Sequence, residues 1–211
     1  MSVAPLFRYS RSARRLPLLC GFAAFALAPA VSFAQNDLRS TFPGNRVGGG
    51  TRAQCSARLL VHLVPKTSVY APDSTLQIGL LEGHTATPKP LELNFRPKSG
   101  LGSNKTSGVK LMPIELPAST VGITLIKLEA LTAPSVWQSF YQCGDETVYP
   151  PAVSVLVSDI RPADTRVQKA LSELRRHCGG TVITTEFAKD FDLADVMRQG
   201  WPALLPVRCL Q

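Results

Sequence analysis

Short apolar runs, punctuated by proline and glycine, recur along the middle of the chain: Leu59 to Val64, Thr75 to Leu80, Leu91 to Phe95, Val109 to Leu116, Val121 to Leu128, Val136 to Cys143 and Val153 to Val157. Each has the length of a strand. Leu91, Leu93 and Phe95 alternate with Glu92 and Asn94, which places the apolar side chains on one face of a sheet. The run Ile123 to Leu128 is apolar on both parities and reads as a strand covered on both sides. Seven short strands with no helical pattern between them predict a mainly β fold, an antiparallel β-sandwich of immunoglobulin-like type, over residues 55–158.

After Ser158 the texture changes. Val167, Ala170, Leu171, Leu174 and Cys178 share one helical stripe, Thr165-x-x-Gln168 has the spacing of a capping box, and Gly179 stands in the stop position. A helix is predicted over about 164–178. Thr181 to Phe187 reads as a strand, and Asp190 to Gln199 as a second helix with Leu193, Val196 and Met197 inward and Gly200 as its stop. Residues 159–211 are therefore expected to form a small α-containing C-terminal appendage, an α/β tail.

The N-terminal 34 residues follow a different pattern. Arg8, Arg11, Arg14 and Arg15 form a basic start, Leu16 to Ala28 is almost wholly apolar, and Ser32 and Ala34 occupy the minus-three and minus-one positions of a signal-peptidase site. A signal peptide over 1–34, cleaved between Ala34 and Gln35, is expected, and with it a periplasmic or secreted location. The apolar run, interrupted by Pro17 and Pro29, falls short of the ~20 residues a bilayer span requires. No membrane span is expected after cleavage. Pro17, Leu18 and Leu19 before Cys20 do not suit a lipoprotein signal, and Leu16 and Pro17 after the Arg14-Arg15 pair are a poor twin-arginine continuation.

Charge looks different once the leader is set aside. The chain has 211 residues and a formal net charge of +8. Losing four arginines and no acids leaves 19 basic residues against 15 acidic ones, a net +4. That modest excess does not suggest nucleic-acid binding, which calls for a dense basic patch with aromatic partners. Its clearest local concentration is Arg96, Lys98, Lys105 and Lys110, on or beside the glycine- and serine-rich stretch 96–108. These four are the candidate binding residues for an anionic envelope polymer or an envelope protein, on a loop able to remodel around it.

Of five cysteines, Cys20 leaves with the leader, and Cys55, Cys143, Cys178 and Cys209 remain for two disulfides in an oxidising compartment. Neither C-x-x-C nor a short-spaced histidine pair suggests zinc, and no cofactor is expected. Gly44-x-x-x-x-Gly49-Gly50-Thr51 mimics a phosphate loop, but Gly50 stands where the lysine belongs. Asp190, Asp192 and Asp195 lack the glycine and distal glutamate of a calcium loop and suit a helix start better. There is no G-x-S-x-G elbow and no H-E-x-x-H helix. His62, His84 and His177 are scattered over a strand, a turn and a helix end. Tyr141-Gln142-Cys143 places a tyrosine where immunoglobulin-type domains carry their tyrosine corner, yet Trp137 lies only six residues before Cys143. Trp137, Phe140 and Tyr141 suit core and edge positions better than a ligand platform.

The run Pro43-Gly44-Asn45-Arg46-Val47-Gly48-Gly49-Gly50-Thr51-Arg52 with Cys55 behind it, then Leu63-Val64-Pro65, then Tyr141-Gln142-Cys143-Gly144-Asp145, resembles the bacterial domain-of-unknown-function family 928 over about residues 42–158. The family's usual acidic or aromatic strand after the L-V-P segment is not evident here, and residues 159–211 do not match its helical tail. The resemblance implies an exported β-rich domain behind a glycine-rich lead-in, 35–54, and transfers no catalytic residue. With Cys55 and Cys143 inside the resembling region and Cys178 and Cys209 in the tail, the expected pairing is Cys55 with Cys143 and Cys178 with Cys209. The function expected is a non-enzymatic exported module binding a partner protein or envelope polymer. The alternative is a small exported hydrolase of cell-wall glycan or ester using Glu82, Glu92 or Asp145 with a histidine.

Overall fold

Alternation along the strands decides how the layers stack. In β5 (Leu91–Pro97) Leu91, Leu93 and Phe95 are buried while Glu92 and Asn94 are half-buried, and β8 (Ser135–Cys143) buries Ser135, Trp137, Ser139 and Tyr141 with the same period. The strand β4 (Gln77–Glu82) is buried at all six positions, so it must be covered on both faces. The computed structural model describes residues 44–49, 58–72, 74–98, 113–128, 134–143, 146–147, 151–157, 164–197 and 200–210. The leader, Cys55, Lys105, Lys110 and Asp145 lie outside the described residues, as does most of the glycine-rich lead-in.

The remaining elements are β1 (Val47–Gly48), β2 (Leu60–His62), β3 (Val69–Tyr70), β6 (Ile114–Leu116), β7 (Gly122–Lys127), β9 (Glu146–Thr147), β10 (Ala152–Leu156), α1 (Thr165–Arg176), β11 (Thr181–Ile183), α2 (Thr184–Asp190) and β12 (Leu204–Leu210). One sheet runs β1-β2-β4-β7-β12-β11 and the other β3-β10-β8-β5-β6, with β9 paired to β8. The fold is mainly β, but the sheets are mixed. β12 lies parallel to β7, with Val207 beside Ile123, and β10 lies parallel to β3, with Val155 beside Val69. The all-antiparallel, immunoglobulin-like expectation gives way at these two pairs, because period-two patterning fixes which face a residue takes and not which neighbour the strand pairs with.

The two faces of the first sheet have different covers. On one, Gly79 lies under α1: a Cβ there would stand 2.8 Å from Cδ2 of Leu171 and 2.8 Å from Cδ1 of Leu63, so a larger residue would have to push those two leucine side chains aside. On the other, Ile78, Leu80 and His62 meet the second sheet, and His62 touches Ser139 of β8 and Ser154 of β10. The core runs through both sheets and both helices, from Leu60 and Trp137 to Leu171, Phe187 and Leu205. The segment expected as an appendage thus contributes β12 and β11 to one sheet, with β12 interior between β7 and β11.

Details of that segment also depart from the sequence reading. Thr181 to Phe187 is a strand only to Ile183, then turns into α2. Of the predicted second helix over Asp190 to Gln199, Asp190 ends α2 and Phe191 to Met197 form turns, with Asp192 at φ 55° in the left-handed region; residues 198–199 lie outside the described residues. The capping box does not form. Asp164 is the N-cap, its carboxylate accepts the Ala71 N–H at 2.8 Å, and the Gln168 amide donates to the Ala71 carbonyl at 2.7 Å, so both clamp the chain leaving β3. The tyrosine corner is absent too: the Tyr141 hydroxyl reaches the Leu59 carbonyl, 82 residues away in sequence, at 3.4 Å.

Candidate functional site

Of the four candidate binding cations, Arg96 and Lys98 lie among the described residues. Arg96, at the end of β5, is exposed and donates to the Gln138 side chain at 2.5 Å. The backbone N–H of Lys98 donates to the Pro134 carbonyl at 2.9 Å, and partial desolvation lowers the pKa of its ammonium. They stand two residues apart at the border of the second sheet. Among the described residues no helix is long and apolar enough to cross a membrane, and no three His, Cys, Asp or Glu side chains gather as a metal site would require.

The groups named for hydrolysis are dispersed. His62 is fully buried, with Nδ1 2.8 Å from Ser154 Oγ, Nε2 3.0 Å from Ser139 Oγ, and its ring stacked on Trp137 at 3.5 Å. Burial drives its pKa well below the usual imidazole value, so it stays neutral. Glu82 is buried at the end of β4. Arg58 Nη1 lies 3.1 Å from Glu82 Oε1, Arg208 Nη2 lies 3.3 Å from Oε2, and the Ser119 hydroxyl donates to Oε2 at 2.6 Å. Arg58 Nη1 makes no hydrogen bond of good geometry, so its attraction to Glu82 is chiefly Coulombic, while Nε and Nη2 donate to the carbonyls of Gly83 and Thr120. Burial, followed by the nearby Glu82 charge, raises the pKa of Tyr141, which lies under Arg58 at 5.2 Å. Glu92 accepts from Asn94 and Gln142 on the outer face of the second sheet. His84 is exposed on a turn, and His177 faces Glu173 at 3.8 Å at the end of α1.

The phosphate-loop mimic has a structural use where it is described. Arg46, buried, donates from Nη1 to the carbonyls of Val64 (2.6 Å) and Phe191 (3.1 Å) and from Nη2 to that of Asp192 (2.8 Å). Its pKa is lowered by burial, with Asp192 and Asp195 pulling the other way. A Cβ on Gly48 would sit 2.2 Å from the Ala152 nitrogen, so β1 lies directly against the chain of β10. Arg46 therefore ties the chain around β1 to the turn after α2. Periodicity carries no signal for a cation whose partners are carbonyls.

Two hollows flank this anchor, and both were missed in the sequence because their walls come from short, separated pieces. The first, about 340 Å³, is lined by Arg46, Lys66, Asp164, Arg166 and Phe191, and Lys66 and Asp192 pair at 3.0 Å beside it. That bond to Lys66 holds the Asp192 carboxyl below the usual range. The second is a more apolar groove of about 690 Å³ between α2, β11 and the chain entering β12, walled by Ile183, Ala188, Met197, Trp201 and Pro202, with Arg166 and Lys189 on its lining. Ile183 (47% exposed) and its register partner Leu204 (52%) are large apolar side chains left open to solvent beside it.

Cys178 and Cys209 form a disulfide with Cα atoms 5.6 Å apart, closing a 31-residue separation and fastening the end of α1 to β12. Cys143 is disulfide-bonded as well, and its expected partner Cys55 lies outside the described residues. Compared with family models, with curated proteins and with solved structures, the chain matches none.

Proposed function

We propose that this chain is an exported, non-catalytic β-rich module that binds a partner protein of the bacterial envelope. The observation that carries the reading is the apolar groove beside β11, flanked by the exposed Ile183 and Leu204, at the free end of an otherwise well-covered sheet. Isolated apolar residues on a surface need no explanation, but two in one cross-strand pair beside a groove suit a contact surface. The 1–34 leader with its Ala34/Gln35 junction supports export, and two disulfides suit an oxidising compartment. Glu82, held between two arginines, and His62, held between two serines, are better suited to fixing the two sheets together than to the acid and base of a hydrolase.

The test is site-specific cross-linking in intact bacterial cells expressing the full chain. Benzoylphenylalanine placed at Leu204 should give one discrete protein adduct on irradiation, and the same group at the exposed Ala86, on the turn after β4, should give none. Equal adducts from both positions, or none from Leu204, refute the reading.

A further inference from the structure

We propose that the outer edge of β11 and the groove behind it take up an extended acidic segment of the partner protein, which adds to the sheet as a further strand and lodges an apolar side chain in the groove. This deepens the binding-module reading and rests on it. The backbone geometry comes first. Val207 donates to the Gly180 carbonyl and Thr184 to that of Ala203, so by antiparallel alternation Val182 is the residue bonded across to Leu205. Thr181 and Ile183 then turn their N–H groups away from β12. Among the described residues nothing pairs on that side, since β11 ends its sheet. An open strand edge is a template for another strand, with main-chain bonds giving affinity and side-chain pockets giving choice.

Charge selects the occupant. α2 turns Lys189 into the groove, and Arg166 enters from α1, whereas Glu186, one turn before Lys189 on α2, is not part of the lining. Asp192, the one acid of the lining, is already engaged by Lys66 at 3.0 Å. The groove therefore offers the Lys189 ammonium and the Arg166 guanidinium, which also donates from Nη2 to the Lys189 carbonyl at 2.8 Å, around an apolar floor, which suits glutamate or aspartate on either side of a leucine-like residue. A second copy docked edge to edge would bring Arg166 and Lys189 of both chains to one seam, so like charges oppose self-pairing.

The probe is a fluorescein-labelled heptapeptide of alternating glutamate and leucine, titrated by polarisation into the full chain recovered after export. Saturable binding is expected, about tenfold weaker when lysine replaces glutamate and about tenfold weaker when alternate backbone nitrogens are methylated. The double variant Arg166→Glu with Lys189→Glu, checked for folding by circular dichroism, should reverse the preference between the two peptides. No binding, equal binding of both peptides, or an order that survives the charge reversal overturns the inference. So does a concentration-dependent dimer in sedimentation that Ile183→Asp abolishes, because the occupant is then a second copy. If the Leu204 cross-link forms while the peptide tests fail, the binding module stands and strand addition falls; if neither succeeds, both fall.

Discussion

Acid should loosen this protein through one side chain. His62 is fully buried between the sheets, and its ring meets Ser154, Ser139 and Trp137, with no carboxylate among the described residues acting on it to favour the imidazolium. Both serine oxygens can accept, so a charged ring loses no hydrogen bond; the cost is desolvation of the charge, and this holds the folded pKa well below 6.5. The unfolded chain binds a proton near pH 6.5 and the folded chain does not. His62 therefore costs no stability above pH 6.5, and stability falls below it by up to about 1.4 kcal/mol per pH unit until the folded pKa is reached. Between pH 8 and pH 5 the loss is about 2 kcal/mol if the folded ring remains neutral throughout. With a urea dependence of about 2 kcal/mol per molar, the unfolding midpoint should drop by about 1 M over that range. Trp137, stacked on the ring, provides the signal. Asp192, whose pKa is lowered by Lys66, loses its contribution only at lower pH and leaves the window clear. His62→Gln should be less stable at pH 8 by about 2 kcal/mol, having lost the stack and one or both serine contacts, and its pH slope should be shallower. A wild-type midpoint that stays flat from pH 8 to pH 5, or an equal slope in the variant, would refute the reasoning.

Other outcomes follow from the same geometry. Arg58→Met should lower stability by about 3 to 5 kcal/mol in chemical denaturation, because it removes the most buried cation from Glu82, whereas Arg208→Met, at a partly exposed site, should cost about 1 kcal/mol or less. Gly48→Ala forces a Cβ against the Ala152 backbone and should cost about 3 kcal/mol in thermal unfolding, with no easy side-chain shift to relieve it. Replacing Cys178 and Cys209 by serine should cost about 3 to 4 kcal/mol and lower one shared transition rather than release a separate tail, since β12 pairs with β7; calorimetry showing two transitions counts against this. N-terminal sequencing of exported material should begin at Gln35.

What the sequence revealed and what it concealed differ by physical kind. Leu91, Leu93 and Phe95 carry their own alternation, and Val167, Leu171 and Leu174 their own helical stripe, so β5 and α1 were legible at close to their observed bounds. Arg46, Arg58 and Glu82 have partners far away in the chain, and a backbone carbonyl as acceptor leaves no compositional trace. The groove is assembled from a three-residue strand, a seven-residue helix and the approach to β12, each too short for periodicity to register. β12 was hidden for a further reason: Pro206 argues against an interior strand, since it removes a ladder donor. The structure accommodates it by placement. The parallel ladder with β7 begins one residue later, at Val207 beside Ile123, so the missing N–H falls before the ladder rather than within it. Gly122 sits where a Cβ would meet the Pro206 carbonyl at 2.8 Å and its ring at 2.9 Å, and its φ of 152° opens that corner. Pro206 and Gly122, which in sequence look like two unrelated strand breakers, together allow β12 to pair with β7 inside the sheet, and this leaves β11 and its groove at the free edge.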